Sequence, residues 1–359
     1  MQDNFNILAI NPGSTSTKIA LFENDAVLFE ESIQHGAEEL AGFARSVDQY
    51  ELRRNRILSC LEAKNYNLSN LDAVVGRGGL LKPLESGTYA VNATMLTEMK
   101  QPGARDHASN LGVLLADEIA KQANAQAFTV DPVAVDELEP IARISGFVEI
   151  ERKSLSHALN IKAVARRAAA SLGKKYEELN LVVAHLGGGI TVTAHNRGRM
   201  VDVVGGVDSG PFSPERSGSL PLADLIELCY SGKYTLRELM KKLSGNGGLV
   251  SYLGTNSTIE ISERIANGDQ EALLVAQAMA YQIAKSIGGL STVLKGDVDG
   301  IVLTGGCARW EQLVNWIEDR VKTIAQVMVF PGENEMESLA LGALRVLRSE
   351  EQAKDYQPR

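Results

Sequence analysis

Short apolar runs alternate with helical periodicities along the whole chain. Ile7–Asn11, Lys18–Phe22, Ala26–Ile33, Leu71–Gly76 and Ala125–Val130 have the length and alternation of strands. Between them, apolar positions recur at helical spacing over Ser46–Lys64 and Ala108–Ala123. After about residue 150 a similar order begins again. Leu181–His185, Ile190–His195 and Arg199–Val204 predict three strands joined by tight turns. Two longer helical tracts follow, then the strand Gly300–Thr304, a helix, the strand Gln326–Phe330 and a last helix from about Glu335. The most apolar helical tract, Ala272–Leu294, is broken by Gln277, Gln282, Lys285 and the Gly288-Gly289 pair, which predicts a buried core helix rather than a membrane span.

The two openings overlay. With Gly13 placed on Gly187, ILAINPGSTSTKIALFENDAVLFEE and LVVAHLGGGITVTAHNRGRMVDV both read strand, small-residue turn, strand, polar turn, strand. A second echo, DAVVGRGG (Asp72–Gly79) against DGIVLTGG (Asp299–Gly306), occurs in the same order. A duplicated β-β-β-α-β-α-β-α unit predicts two like α/β domains with a cleft between them. We place the first over 1–150 with about 336–359 and the second over 151–335. Hinges are expected near Asp131–Glu149 and Phe330–Glu337.

Composition narrows the partners. The 359 residues carry 36 Lys and Arg against 45 Asp and Glu, a net charge of −9. Nucleic-acid and anionic-membrane binders need a positive surface, so neither partner is expected. Cys60, Cys229 and Cys307 have no metal-ligand spacing and read as reduced core thiols. The opening MQDNFNILAINPG has no signal-peptide pattern, so a cytoplasmic protein is expected.

The candidate chemistry is phosphate handling. No GxxxxGK[ST] stretch exists, and neither Gly187-Gly188-Gly189 nor Gly76-Arg77-Gly78 continues into a GxGxxG pattern. What the chain offers instead is two hairpin turns rich in glycine or hydroxyls. Gly13-Ser14-Thr15-Ser16 is followed by Lys18, and Gly187-Gly188-Gly189 has more glycine than a hairpin needs. Successive N–H groups in such turns form anion-binding concavities. The Gly305-Gly306 turn, between a strand and a helix, suits a nucleotide's ribose and phosphates.

AINPGSTSTK (Ala9–Lys18) resembles the first signature of the acetate and butyrate kinase family, N-x-G-S-[ST]-[ST]-x-K, and AHLGGGIT (Ala184–Thr191) its second, H-x-G-x-G-x-[ST]. The resemblance covers nearly the whole chain. ERKSLSHALNIKAVARR and FPGENEMESLALGALRVL look closer to butyrate kinase than to the longer acetate kinases. It implies the duplicated actin-like ATPase (ribonuclease H-like) fold and a reversible transfer of phosphate between ATP and butyrate, with Mg2+. It also implies at least a homodimer. A branched-chain fatty acid (isobutyrate) or propionate kinase is the close rival. A nucleotide-gated binding module on the same fold is the alternative from another class.

A carboxylate is already ionised at neutral pH, so this reaction needs no general base. It needs cations and hydrogen-bond donors around a transferring phosphoryl group. Arg77 (VVGRGG) resembles the family's carboxylate-binding arginine and Arg216 (PERSG) its partner. His157 (SLSHAL) matches the histidine that stabilises the transition state. His185 lies beside the second turn, and His107 (RDHASN) is a further substrate-binding candidate. Asp131 (FTVDPV) resembles the cleft aspartate that helps hold magnesium. Glu335 resembles the magnesium-associated glutamate, with Glu333 and Glu337 as close neighbours. Asn11 is expected to bond near the phosphoryl group. His35 and His195 read as surface strand or turn residues. Ser156 and Gly79 stand where acetate kinases carry an aromatic and a branched aliphatic residue, which predicts an enlarged acyl pocket.

Overall fold

The computed structural model describes residues 4–100, 107–205 and 209–357. The chain first runs through β1 (Asn6–Pro12), β2 (Ser16–Glu23), β3 (Ala26–Gln34), β4 (Ala73–Arg77), β5 (Thr88–Ala90) and β6 (Gln126–Val130). It continues through β7 (Asn180–Leu186), β8 (Ile190–Asn196), β9 (Arg199–Gly205), β10 (Gly300–Gly305) and β11 (Val327–Pro331). It closes with a helix, Glu335–Leu347, and a short strand β12 (Lys354–Asp355).

Two compact units result, Met1–Asp136 with Asn334–Arg359, and Glu137–Glu333. The sheet of the first has the order β12-β5-β6-β4-β1-β2-β3, that of the second β11-β10-β7-β8-β9. Five successive strands therefore correspond, β6-β4-β1-β2-β3 with β11-β10-β7-β8-β9. In both, an antiparallel three-stranded meander is joined to two parallel strands. The meanders share an irregularity as well, a register shift at Leu21/Phe22 in one and at Ala194/His195 in the other.

The first crossing, at Asp136/Glu137, falls earlier than the expected 150 because the residues after Asp136 are committed to the second unit. Glu137 accepts from Lys162 Nζ (2.6 Å) and from the Met200 N–H (2.8 Å). The Glu139 N–H donates to the Val201 carbonyl, and Leu138 and Ala142 pack on Val203. The second crossing, at Glu333/Asn334, assigns Glu335 to the first unit.

Each unit buries its sheet under helices whose apolar faces the periodicity identifies. The helix Asn110–Ala123 buries Leu111, Leu115 and Ile119 in the first core. The helix Gln270–Val293 buries Met279, Ile283 and Ile287 in the second. Interrupting glutamines and a lysine notwithstanding, this tract is a core helix. Among the described residues, no helix is long and apolar enough to cross a membrane.

Two expectations fail here. His35 and His195 are buried, not surface residues. The His195 ring lies between Tyr176 Oη (2.5 Å) and Thr193 Oγ1 (2.7 Å), and burial holds its pKa well below the usual histidine range. Nor are the three free cysteines all core thiols. Cys307 is buried, Cys60 only partly, and Cys229 is exposed on the helix Leu222–Tyr230, which buries none of its residues.

Candidate active site

In the first unit the chemistry gathers at the carboxyl end of β1 and β4. Arg77, the last residue of β4, is positioned by a close backbone approach. A Cβ on Gly76 would lie 2.0 Å from the Gly112 carbonyl oxygen, and one on Gly112 would lie 2.2 Å from that of Arg77. Only glycine at both positions lets the 110–123 helix seat against this strand end. Arg77 Nη1 contacts Glu335 Oε1 at 2.9 Å and Oε2 at 3.0 Å, and Asn11 Oδ1 at 3.4 Å. Asn11 Nδ2 in turn donates to Glu335 Oε2 at 2.5 Å. The Nε and Nη2 edge of Arg77 has no partner among the described residues, and its side chain is 28% exposed. A guanidinium held at one nitrogen, with its other two donors in plane, is a ready two-point receptor for a carboxylate or phosphoryl group.

Glu335 is singled out from its neighbours. It opens the 335–347 helix, behind Asn334 in the left-handed region, whereas Glu337 is exposed and Glu333 belongs to the other unit. Lys18 pairs across the ladder with Asn11, so its exposed side chain leaves the sheet on the same face. Asp131 follows β6 with φ +38° and is buried. Its Oδ1 accepts from Ser86 Oγ (2.6 Å) and the Gly87 N–H (2.8 Å). His107 is exposed, and its Nδ1 bonds Ser109 Oγ at 2.7 Å.

Gly79 does not enlarge anything. A Cβ there would lie 2.2 Å from Asn110 Oδ1 and 2.9 Å from Met99 Sδ, so the volume of the missing side chain is already filled. Asn110 belongs there because its Oδ1 accepts the Leu80 N–H at 2.9 Å.

The first turn is held from behind by a residue outside every motif. Arg53, on the helix Tyr50–Ala63, is fully buried and donates to the carbonyl oxygens of Gly13 (2.8 Å), Ser14 (3.1 Å) and Ser16 (2.9 Å). The Thr15 carbonyl accepts from the His35 N–H at 2.9 Å.

In the second unit the corresponding strand end carries imidazoles. The rings of His157 and His185 stack 4.0 Å apart at 15°. Asn160 Nδ2 donates to the Glu333 carbonyl at 2.7 Å, so its Oδ1, 2.8 Å from His185 Nδ1, is the acceptor. That places a proton on His185 Nδ1 and leaves Nε2 facing the Gly187 turn, 3.7 Å from Glu333 Oε1. His157 Nδ1 lies 3.1 Å from Thr191 Oγ1.

The Gly187–Gly189 turn is gripped by the loop 213–216. Ser213 Oγ donates to the Gly188 carbonyl at 2.6 Å, as does the Glu215 N–H at 3.2 Å. The half-buried Arg216 guanidinium lies flat on Gly189, where a Cβ would come within 2.6 Å of its Cζ. Ser156 is buried and its Oγ has no hydrogen-bond partner. Gly305 adopts φ +92° against the Leu186 backbone, while Gly306 faces open space. Beyond this turn a cavity of about 480 Å³ is lined by Thr258, Ile259, Glu263, Arg309 and Trp310. Burial pushes the Cys307 thiol up to about 11, with the Glu333 and Glu215 carboxylates adding to the shift, so this thiol is inert at neutral pH.

Sequence reasoning missed Arg53, Asn110, Asn160, Thr191 and Ser213. Arg53 and Ser213 act by holding the two turns, Asn110 by accepting the Leu80 N–H, and Asn160 and Thr191 by bonding the imidazoles of His185 and His157. For Arg53, Asn110, Asn160 and Thr191 the only signal is a polar residue at a buried helix or strand position, and Ser213 sits in a loop that gives none.

Comparison with known proteins gives a consistent picture. The solved acetate kinase of Porphyromonas gingivalis is 19% identical, with a TM-score of 0.80, 96% of this chain and 100% of that one being covered. A propionate kinase from Francisella tularensis subsp. tularensis SCHU S4 and the acetate kinase of Entamoeba histolytica are each 18% identical, with TM-scores of 0.73. In both, 94% of this chain and 98% of the other is covered. These likenesses establish the fold, the duplicated actin-like ATPase fold that the family resemblance of the sequence implies. The sequence model of the acetokinase family matches residues 150–351, more than half of the chain, and so the protein belongs to the acetokinase family.

Proposed function

We propose that this protein is an ATP-dependent carboxylate kinase, with butyrate as its preferred acceptor. The observation that carries the reading is Arg77. Its Nη1 is pinned by Glu335 and Asn11 while its Nε/Nη2 edge is left for a bidentate anion. A hydroxyl acceptor would need a base instead. Asp131, which follows the Val130 paired with Arg77 across the ladder, already accepts two hydrogen bonds at one oxygen in a buried setting.

In this reading Arg77 orients the acid, whose carboxylate attacks the γ-phosphorus of ATP without prior deprotonation. The amides of the Gly13–Ser16 and Gly187–Gly189 turns, with Ser14, Ser16 and Lys18, receive phosphate oxygens. Arg216 and His157, whose ring is stacked on that of His185, supply donors to the charge that develops on the transferring group. Adenosine occupies the cavity lined by Thr258, Ile259, Glu263 and, just after the Gly305-Gly306 turn in the chain, Arg309 and Trp310. A magnesium ion, when bound, neutralises the nucleotide phosphates. Among the described residues no three acids cluster, which fits a cation held mainly by substrate oxygens, with Glu335 the protein carboxylate best placed to reach it. The small Ser156 beside His157 supports an acid longer than acetate.

An acyl-hydroxamate assay with ATP, Mg2+ and acids from acetate to valerate, including isobutyrate, tests this. We expect a maximum at four unbranched carbons. Each methylene is worth about 0.8 kcal/mol, so the preference over propionate is expected to be about fourfold. A maximum at isobutyrate or propionate replaces the acid and keeps the chemistry. No product with any acid while ATP still binds overturns the kinase reading in favour of a nucleotide-gated binding module.

A further inference from the structure

Arg53 is a fully buried cation with no acidic partner among the described residues. Its guanidinium bonds only neutral oxygens: the carbonyls of Gly13, Ser14 and Ser16, Thr17 Oγ1 at 3.0 Å, and Gln49 Oε1 at 2.7 and 3.0 Å. The contrast with Lys162, also fully buried, is direct, since Lys162 meets the Glu137 carboxylate at 2.6 Å. Burying a charge is costly unless something of opposite sign compensates it. In the first unit that compensation is missing from the protein side. The nearby His35 feels the field, its pKa lowered by burial and next by Arg53.

The geometry of the turn shows where the compensating charge belongs. In a trans peptide the C=O and the following N–H point in opposite directions. Drawing the Gly13 and Ser14 carbonyls onto Arg53 therefore turns the Ser14 and Thr15 N–H groups to the opposite side. With the Thr15 carbonyl held by His35, the turn presents two successive donors to solvent, backed by a full positive charge. Ser14 and Thr15 are themselves exposed.

We propose that Arg53 is a positioning residue for phosphoryl-group binding: it orients the Gly13–Ser16 turn so that its amides form an anion site, and the bound phosphate is the counter-charge that Arg53 lacks. This rests on the reading of that turn as a phosphate site, but not on the identity of the acid. Arg53 never touches the substrate.

The test uses inorganic phosphate as the probe, followed by the backbone amide resonances of Ser14 and Thr15 in the full chain, with kcat and the KM for the carboxylate measured in parallel. In the wild type both amides are expected to shift on titration. In Arg53→Gln, phosphate affinity is expected to fall about 10- to 100-fold, the worth of charge-assisted hydrogen bonds. The kcat should fall alongside it while the carboxylate KM stays within about threefold. Arg53→Lys keeps the charge with fewer donors and should fall between the two. If Arg53→Gln does not fold, Arg53→Lys decides alone, with an expected loss of about 3- to 10-fold in phosphate affinity. Wild-type amides that ignore phosphate overturn the proposal. So does a folded variant that loses thermal stability but binds phosphate as the wild type does. Should the hydroxamate assay fail while the amides still respond and Arg53→Gln abolishes the response, this inference stands and only the carboxylate reading falls.

Discussion

The two units carry the same scaffold at the ends of β1 and β7 but different chemistry. With Gly13 on Gly187, Asn11 falls on His185 and Thr17 on Thr191. Each first-strand residue reaches the start of a helix, Asn11 the Glu335 carboxylate at 335–347 and His185 the Asn160 amide on the helix Ala158–Ser171. Each threonine bonds an imidazole, Thr17 that of His35 and Thr191 that of His157. The charges differ. The first unit sets an arginine and a carboxylate there, the second a pair of stacked imidazoles. Even the arginine beside each turn comes from a different place, Arg53 from a buried helix and Arg216 from a half-buried loop. The lesson is that a repeated meander supplies positions, and the residue type at each position supplies the function.

The most severe way to break this comparison is to remove the arginine proposed to face ligand in each half. Arg77→Ala and Arg216→Ala are each expected to lower kcat/KM by about 10³-fold, and Arg77→Lys by about 10²-fold because the two-point edge is lost. Steady-state kinetics with butyrate decide it. Equal activity in either variant would mean that half is scaffold only.

The buried cations come next. Lys162→Met strands the Glu137 carboxylate in the core and is expected to cost about 3–5 kcal/mol in urea denaturation. At a temperature where the variant is folded its kcat should match the wild type, unlike Arg53→Gln.

Exchanging the equivalent residues sharpens the contrast further. His185→Asn places the first unit's residue in the second and keeps a donor for Asn160, but removes an imidazole from the stack. We expect a loss of about 10- to 100-fold in kcat, with the KM for the acid little changed.

The smallest effect is a pH dependence of stability. The folded pKa of His195 lies below its unfolded value, since burial disfavours the charged ring and the Lys162 and Arg166 charges add to this. Its contribution is therefore complete above about pH 6.5 and declines as pH falls towards the folded value. A single proton of this kind gives a slope of at most about 1.4 kcal/mol per pH unit. Urea midpoints between pH 7 and 5 should show the decline, and His195→Gln should flatten part of it. His35 acts in the same direction in the first unit, through burial and then the Arg53 charge.

The strand order of both meanders, the core helices and the two phosphate-type turns were legible in the sequence because they depend on local periodicity and on glycine or hydroxyl runs. The pairing of Arg77 with Glu335 was not, since those residues are joined by contacts across most of the chain. Nor was the use of Gly79, where a missing side chain reads as space in a sequence but is filled by Asn110 in the fold. His195 looked like a turn residue because it ends a strand, yet the adjoining Tyr176 and Thr193 enclose it.

The sequence by itself thus determined which elements form and where the two glycine and hydroxyl turns fall, since both follow from residue type and spacing along a single stretch of backbone. Only the tertiary structure decided which of Glu333, Glu335 and Glu337 meets Arg77, which nitrogen of His185 carries its proton, and that a buried arginine stands behind the first turn. Those are properties of side chains brought together from distant positions, where burial and hydrogen-bond partners, not local pattern, set the charge and the direction of each donor.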